Sequence, residues 1–297
     1  MRRLGLTTLT VASLIAACQP REAAPREYVA TIAPLAQIIS EVAGDRAAVR
    51  TLLQPGTSPH TYEPRPSDIR TTEQALAVFF VDESLDGWAA RLPGATKVSA
   101  LALVPESFRL SFEAEDERSG EHEHGHDHGR YDPHFWGDPL AVKAMLPELV
   151  ERLSELDPEG STAYAQNAKR FAAELEQINH DMDAQMAPLA GAPVVQFHPS
   201  WNYFLRRYGL RPGALVEPSP GKEATAQHIA EVAETIKRVG IKAVFTEPQL
   251  ARRPAEVVAE AGGVPVFELD PIGGVSGKMT YEELIRSNAT VLLEALQ

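Results

Sequence analysis

A single cysteine, Cys18, occurs in 297 residues. One thiol excludes an intramolecular disulfide framework and any metal site built on several thiolates. Positive charge is also scarce, with 28 Lys and Arg against 41 Asp and Glu and a net charge of −13. No basic patch breaks that balance, and a phosphate backbone needs one, so a nucleic-acid partner is excluded. Long apolar runs are missing as well. The longest near the N-terminus, LTTLTVASLIAA over 6–17, is too short to cross a bilayer as a helix.

That short run has a different meaning. Arg2 and Arg3 precede it, small residues end it at Cys18, and QPREAAPRE follows. A basic start, an apolar stretch and small residues before a cut describe an export signal. Ile15-Ala16-Ala17-Cys18 resembles the lipobox of bacterial lipoproteins, where the cysteine carries lipid and becomes the new N-terminus. The expected product is extracytoplasmic and tied to a membrane through Cys18. The alternative is a soluble secreted chain that loses Cys18 with the signal.

The remainder has ample apolar content for a core, 44% of all residues. Beyond a tether over 18–26, strand-like YVATI (28–32) leads into a helical pattern ending at Gly44. AVRTLL (48–53), the continuous apolar run LAVFFV (76–81) and TKVSAL (96–101) follow as strands, with a helix start at Pro66-Ser67-Asp68. A βαβα rhythm with strands buried on both faces predicts a parallel sheet covered by helices. From Asp157-Pro158 onward, Tyr164, Ala168, Phe171, Leu175, Ile178, Met182 and Met186 recur at three- and four-residue steps. That stripe predicts one long amphipathic helix in which the methionines pack rather than bind metal. Strands resume at PVVQF (193–197), ALVE (214–217), KAVFTE (242–247) and VPVFELD (264–270), alternating with two further helical patterns. The expected architecture is α/β: a βα lobe over 27–156, a linker helix over 157–190 and a second βα lobe over 191–297.

One stretch breaks the rhythm. Residues 113–130, EAEDERSGEHEHGHDHGR, carry almost no apolar side chains and read as a solvated insert. His122, His124, His126 and His128 alternate there with Glu, Gly and Asp. They are candidates for weak, interchangeable zinc binding, a local reservoir; the other reading is a solvated spacer. His134 comes just after, between Pro133 and Phe135-Trp136, where its loop is stiffened.

Other candidate ligands fall after strands: His60 in LQPGTSPHTYEP, His198 after PVVQF and Asp270 closing VPVFELD. Open α/β sheets bind ligands outside the carboxyl ends of their strands, so these side chains are placed to converge between two lobes. Three imidazoles and a carboxylate form a tetrahedral donor set suited to Zn²⁺. His180 and His228 sit within helical patterns and read as helix-face residues, not ligands.

Five motifs in order now carry a resemblance: GTSPHTYEPRPSDI (56–69), DPHFWGDP (132–139), FHPSWNYF (197–204), VFTEPQ (244–249) and ELDPIGG (268–274). Together, with a His-rich insert just before the second, they resemble the zinc/manganese class of periplasmic solute-binding proteins that serve ABC transporters. The resemblance spans about residues 27–297. It implies that His60, His134 and His198 bind metal, with Asp270 able to supply a fourth ligand. Manganese-type members carry a carboxylate at the third position, and His198 stands there, so zinc is implied and manganese or another divalent ion is the alternative. It also implies a monomer, without enzymatic activity, that hands its cargo to a membrane permease. Glu247 in VFTEPQ is either a residue supporting a ligand from behind or a solvated strand-end carboxylate. Two rival readings differ at testable points. A zinc hydrolase would need an open coordination position and a general base, and a scaffold with structural zinc would unfold without it.

Overall fold

The computed structural model describes residues 26–111, 130–218, 221, 224–274 and 279–297. The signal, Cys18 and His122, His124, His126 and His128 lie outside the described residues. Two four-stranded parallel sheets dominate, ordered β2-β1-β3-β4 and β6-β5-β7-β8. The first consists of β1 (Glu27–Ala30), β2 (Ala48–Thr51), β3 (Ala77–Phe80) and β4 (Thr96–Ser99), and β3 is buried along its length. The apolar run 76–81 is therefore a central strand with both faces covered, as its composition requires. Helix α1 (Ala33–Ala43) buries Leu35, Ile38, Ile39 and Val42 against this sheet and ends at Gly44, whose φ of 55° suits glycine. TKVSAL stops short of its expected end. The Ser99 side chain accepts a hydrogen bond from the Ala102 N–H, so residues 100–103 turn into a helical segment.

The second sheet consists of β5 (Pro193–Gln196), β6 (Arg211–Leu215), β7 (Val244–Thr246) and β8 (Val266–Glu268). Strand β6 starts earlier than its apolar pattern and contains Pro212. That is tolerated because β6 is an edge strand paired only with β5, with a register shift at Val194/Val195.

The long helix spans Ser161–Met186, about 40 Å. Its buried residues are the seven of the predicted stripe, methionines included. It begins three residues beyond Pro158 because 158–160 form a tighter turn around Asp157. That buried carboxylate accepts from Arg46 and from the Tyr164 hydroxyl at 2.7 Å, and it pairs with Arg26. Arg26, just before the first strand, is thereby fastened to the helix junction.

Two helices lie beyond the sequence expectations. One, Pro139–Leu156, starts at an Asp138 cap and packs along the long helix. The other, Tyr281–Leu296, begins with a Thr280/Glu283 capping box and crosses back to pack on the long helix and α1. Phe171 meets Tyr281 edge-on at 6.2 Å, and Arg286 bridges to Asp181 at 2.7 Å. The larger hydrophobic cluster therefore runs from the first sheet across the long helix into Phe204, Leu284 and Leu292. A smaller one, around Val195, Ile236 and Val258, belongs to the second lobe alone. Among the described residues, no helix is long and apolar enough to cross a membrane.

Candidate metal centre

Both sheets present the ends of their strands to one crevice, and three histidines meet there. His60 sits on a tight turn, Pro59–Thr61, beyond β2. The Trp88 indole N–H donates to the Pro59 carbonyl at 3.0 Å, and Tyr62 packs on the Trp88 ring at 4.9 Å. The Tyr62 hydroxyl in turn donates to Asp68 at 2.7 Å. Burial and that bond push the Tyr62 phenol up to about 12. These bonds hold the turn from within the first lobe.

His134 is 4% exposed, so its ring has lost almost all hydration. Its Nδ1 lies 2.7 Å from Asp132 Oδ1, which also accepts the His134 backbone N–H at 2.9 Å. Asn202 hydrogen-bonds the same carboxyl and is held by Gln196 from β5 at 3.0 Å. The Tyr203 hydroxyl donates to the Asp132 carbonyl, and the Trp136 indole N–H donates to the Pro271 carbonyl at 2.7 Å. Although His134 belongs to the first half of the sequence, its loop is fastened by the second.

His198 follows β5 and is likewise 4% exposed. Its Nδ1 lies 2.7 Å from Glu247 Oε1, which also accepts from the Ser200 hydroxyl at 2.9 Å. Glu247 is therefore a buried partner of a histidine and not a solvated strand-end carboxylate.

The three ring centroids lie 5.2–5.6 Å apart, and candidate ligand atoms of His60, His134 and His198 all fall within 4.8 Å of one another. A carboxylate accepts hydrogen bonds, so Asp132 and Glu247 fix protons on the two Nδ1 atoms and leave lone pairs on both Nε2 atoms. Those Nε2 atoms stand 3.4 Å apart. Two ligands on a tetrahedral Zn²⁺, each at 2.0–2.1 Å, would be separated by about 3.4 Å. Facing lone pairs repel unless a cation lies between them, and this spacing suits one. Burial first, then the unfavourable closeness of a second imidazole that would share positive charge, holds His134 well below the ordinary imidazole value, so it is neutral and ready to donate. Burial also pushes Asp132 up to about 7, against the hydrogen bond from the His134 backbone.

The cavity between them is small, about 10 Å³, and Trp136, Gln249 and Ile272 complete its walls. That is about one water-sized position, enough for a small cation with a single water-sized ligand and far below what an organic substrate fills. Asp270 stands apart from the triangle. Its Oδ1 accepts from Gln249 Nε2 at 2.6 Å and from the Gly273 and Ile272 N–H groups. Sequence reasoning missed Asp132, Asn202 and Gln249, although each lies inside a quoted motif. His228 donates from Nε2 to the Leu215 carbonyl at 2.9 Å and His180 is exposed on the long helix, so neither joins the site.

Two parallel βα lobes, a long bridging helix and a buried three-histidine pocket sized for an ion define a metal-specific solute-binding protein. Residues 29–295 match the family described as ZnuA, zinc-uptake complex component A, periplasmic, and the chain belongs to it. The high-affinity zinc uptake system protein ZnuA of Brucella abortus is 30% identical over the whole chain and 99% of its own length. The zinc-binding lipoprotein AdcA of Streptococcus pneumoniae is 24% identical, with 94% of this chain aligned to 57% of that protein. Among solved structures, a zinc-bound ZnuA deletion mutant superposes with a TM-score of 0.76 at 25% identity, covering 92% of this chain and 99% of that one. The family is one of solute-binding transport proteins and not of enzymes.

Proposed function

We propose that this chain captures Zn²⁺ outside the cytoplasmic membrane and delivers it to the permease of an ABC transporter. The observation that carries this reading is the pair of Nε2 atoms 3.4 Å apart, each on a ring whose Nδ1 lies 2.7 Å from a buried carboxyl oxygen. His60, His134 and His198 are the zinc ligands, with Glu247 supporting His198 and Asp132 supporting His134. Asp270 contributes through the wall it shares with Gln249. Nitrogen donors favour zinc over manganese, which prefers oxygen ligands. His60 and His134 belong to the first lobe and His198 follows β5 of the second, so the ion bridges both, and separation of the lobes is the natural route to release.

A transport site must be able to empty. The large core owes nothing to the histidines, so metal-free protein should keep its circular dichroism spectrum and melt cooperatively. Loss of the fold on chelation would instead favour a structural zinc site.

The lobes meet the linker helix within the proposed divisions 27–156, 157–190 and 191–297. Ahead of them, residues 1–17 act as the signal and 18–26 as the tether, with Cys18 lipidated. One acyl chain binds a membrane only marginally, so stable anchoring needs several chains. Mass spectrometry of the mature N-terminus should find a lipid-modified Cys18. An unmodified start further along would indicate a freely soluble protein.

His122, His124, His126 and His128 serve as a weak zinc reservoir. Ligands that must be ordered at each binding event are weaker than ligands already held in place. Calorimetric titration of a variant lacking residues 119–129 should therefore show the tight event intact and the additional weak binding gone. Disappearance of the tight event in a folded variant would place a true ligand in the insert.

A further inference from the structure

The three histidines occupy three sides of the ion's surroundings, and the fourth wall contains Gln249, two residues beyond Glu247 in the turn that follows β7. Its amide faces two ways. Nε2 donates to Asp270 Oδ1 at 2.6 Å, which orients the group, since a carboxylate can only accept. Oε1 is then the opposite end, and among the described residues this buried oxygen has no hydrogen-bond partner. A buried carbonyl oxygen without a donor is unfavourable, a common sign of a position built for something else.

Asp270 is poorly placed to fill that role itself. Oδ1 already serves three donors, the Asp270 N–H is held by Asn288 Oδ1 at 2.8 Å, and the Asn288 amide returns to the Asp270 carbonyl at 2.9 Å. The residue is clamped at both backbone and side chain, and it does not line the cavity, whereas Gln249 does. Its negative charge beside the Gln249 NH₂ group polarises the amide and makes Oε1 a better acceptor.

We propose that Gln249 is a specificity-determining residue of the zinc site: its Oε1 accepts a hydrogen bond from a water that completes the coordination of the ion, and Asp270 acts as a positioning residue through it. The proposal rests on the zinc-receptor reading and deepens it. A water in the fourth position gives the site an exchangeable ligand, the place where coordination can begin to open when the cargo leaves. An amide acceptor also favours an ion that acidifies its bound water, as Zn²⁺ does, because the water then donates more strongly.

The test uses the whole mature chain and four variants: Gln249→Leu, Asp270→Ala, the double variant, and His60→Ala. Chelator competition reads Zn²⁺ affinity, and the visible absorption of Co²⁺-loaded protein reads coordination geometry, which a merely structural role would leave unchanged. Gln249→Leu is expected to weaken Zn²⁺ binding about tenfold or more and to change the Co²⁺ spectrum. Asp270→Ala should weaken binding in the otherwise native chain and add little in the Gln249→Leu background, because it acts through the amide. Unchanged affinity and spectrum in Gln249→Leu would overturn the proposal. So would an Asp270→Ala effect of equal size in both backgrounds, which would make the carboxylate a direct ligand. Gln249→Met, matched in length and lacking the amide, serves as the same test should the leucine variant fail to fold. His60→Ala separates the two levels of the account: if it binds zinc as the unaltered chain does, the three-histidine site itself is wrong, whatever Gln249 does.

Discussion

Replacing His134 or His198 by alanine should lower zinc affinity a hundredfold or more. Complete four-ligand zinc sites are worth about 10–16 kcal/mol near neutral pH, so each ligand accounts for about 3 kcal/mol. The true loss should exceed this single-ligand share, because each substitution also strands a buried carboxylate. Asp132 would lose the His134 ring, and Glu247 would keep only Ser200. His60→Ala should fall in the same range. Asp270→Ala should cost less than any of the three. Competition with a chromogenic chelator measures all four. An unchanged affinity in His198→Ala would remove the basis for choosing zinc.

The second large effect is acid release. An imidazole must be neutral to bind, and its ordinary pKa is near 6.5, so protons and zinc compete for the same lone pairs. His134 is held well below that value by burial, so in the empty site it stays neutral to lower pH. The sign follows. Affinity should be nearly level at and above neutral pH. It should then fall more than tenfold per pH unit below about pH 6, with more than one proton taken up per ion released. Zinc titrations at a series of pH values, in buffers of different ionisation enthalpy, give both quantities. A flat affinity between pH 7 and 5 would mean that imidazoles do not dominate the site.

The sheets and the long helix were legible because their signals are local. Buried parallel strands need continuous apolar runs such as LAVFFV, and the stripe from Tyr164 to Met186 has helical spacing throughout. The histidines were legible because each follows a strand or a proline-stiffened turn. The C-terminal helix was not foreseen, yet Thr280-Tyr281-Glu282-Glu283 carries a capping box that marks its start. The supporting network around the site could not be read in the same way. Asn202 reaches Asp132 across 70 positions, and Gln249 reaches Asp270 across 21, through folds of chain that no local spacing encodes. Nor could the sequence reveal that the His134 loop is fastened by Tyr203, Tyr281 and Pro271 of the second half. That fastening ties a histidine loop of the first lobe to the second.

The central claim is that the three histidines form a site for zinc. It is tested most directly by elemental analysis of protein purified without added metal, followed by competition between Zn²⁺ and Mn²⁺ at neutral pH. The account predicts close to one zinc per chain, retained against a large excess of manganese and lost in the His198→Ala variant. Protein that carries manganese, exchanges zinc for it readily, or holds one zinc equally well without His198 would contradict it.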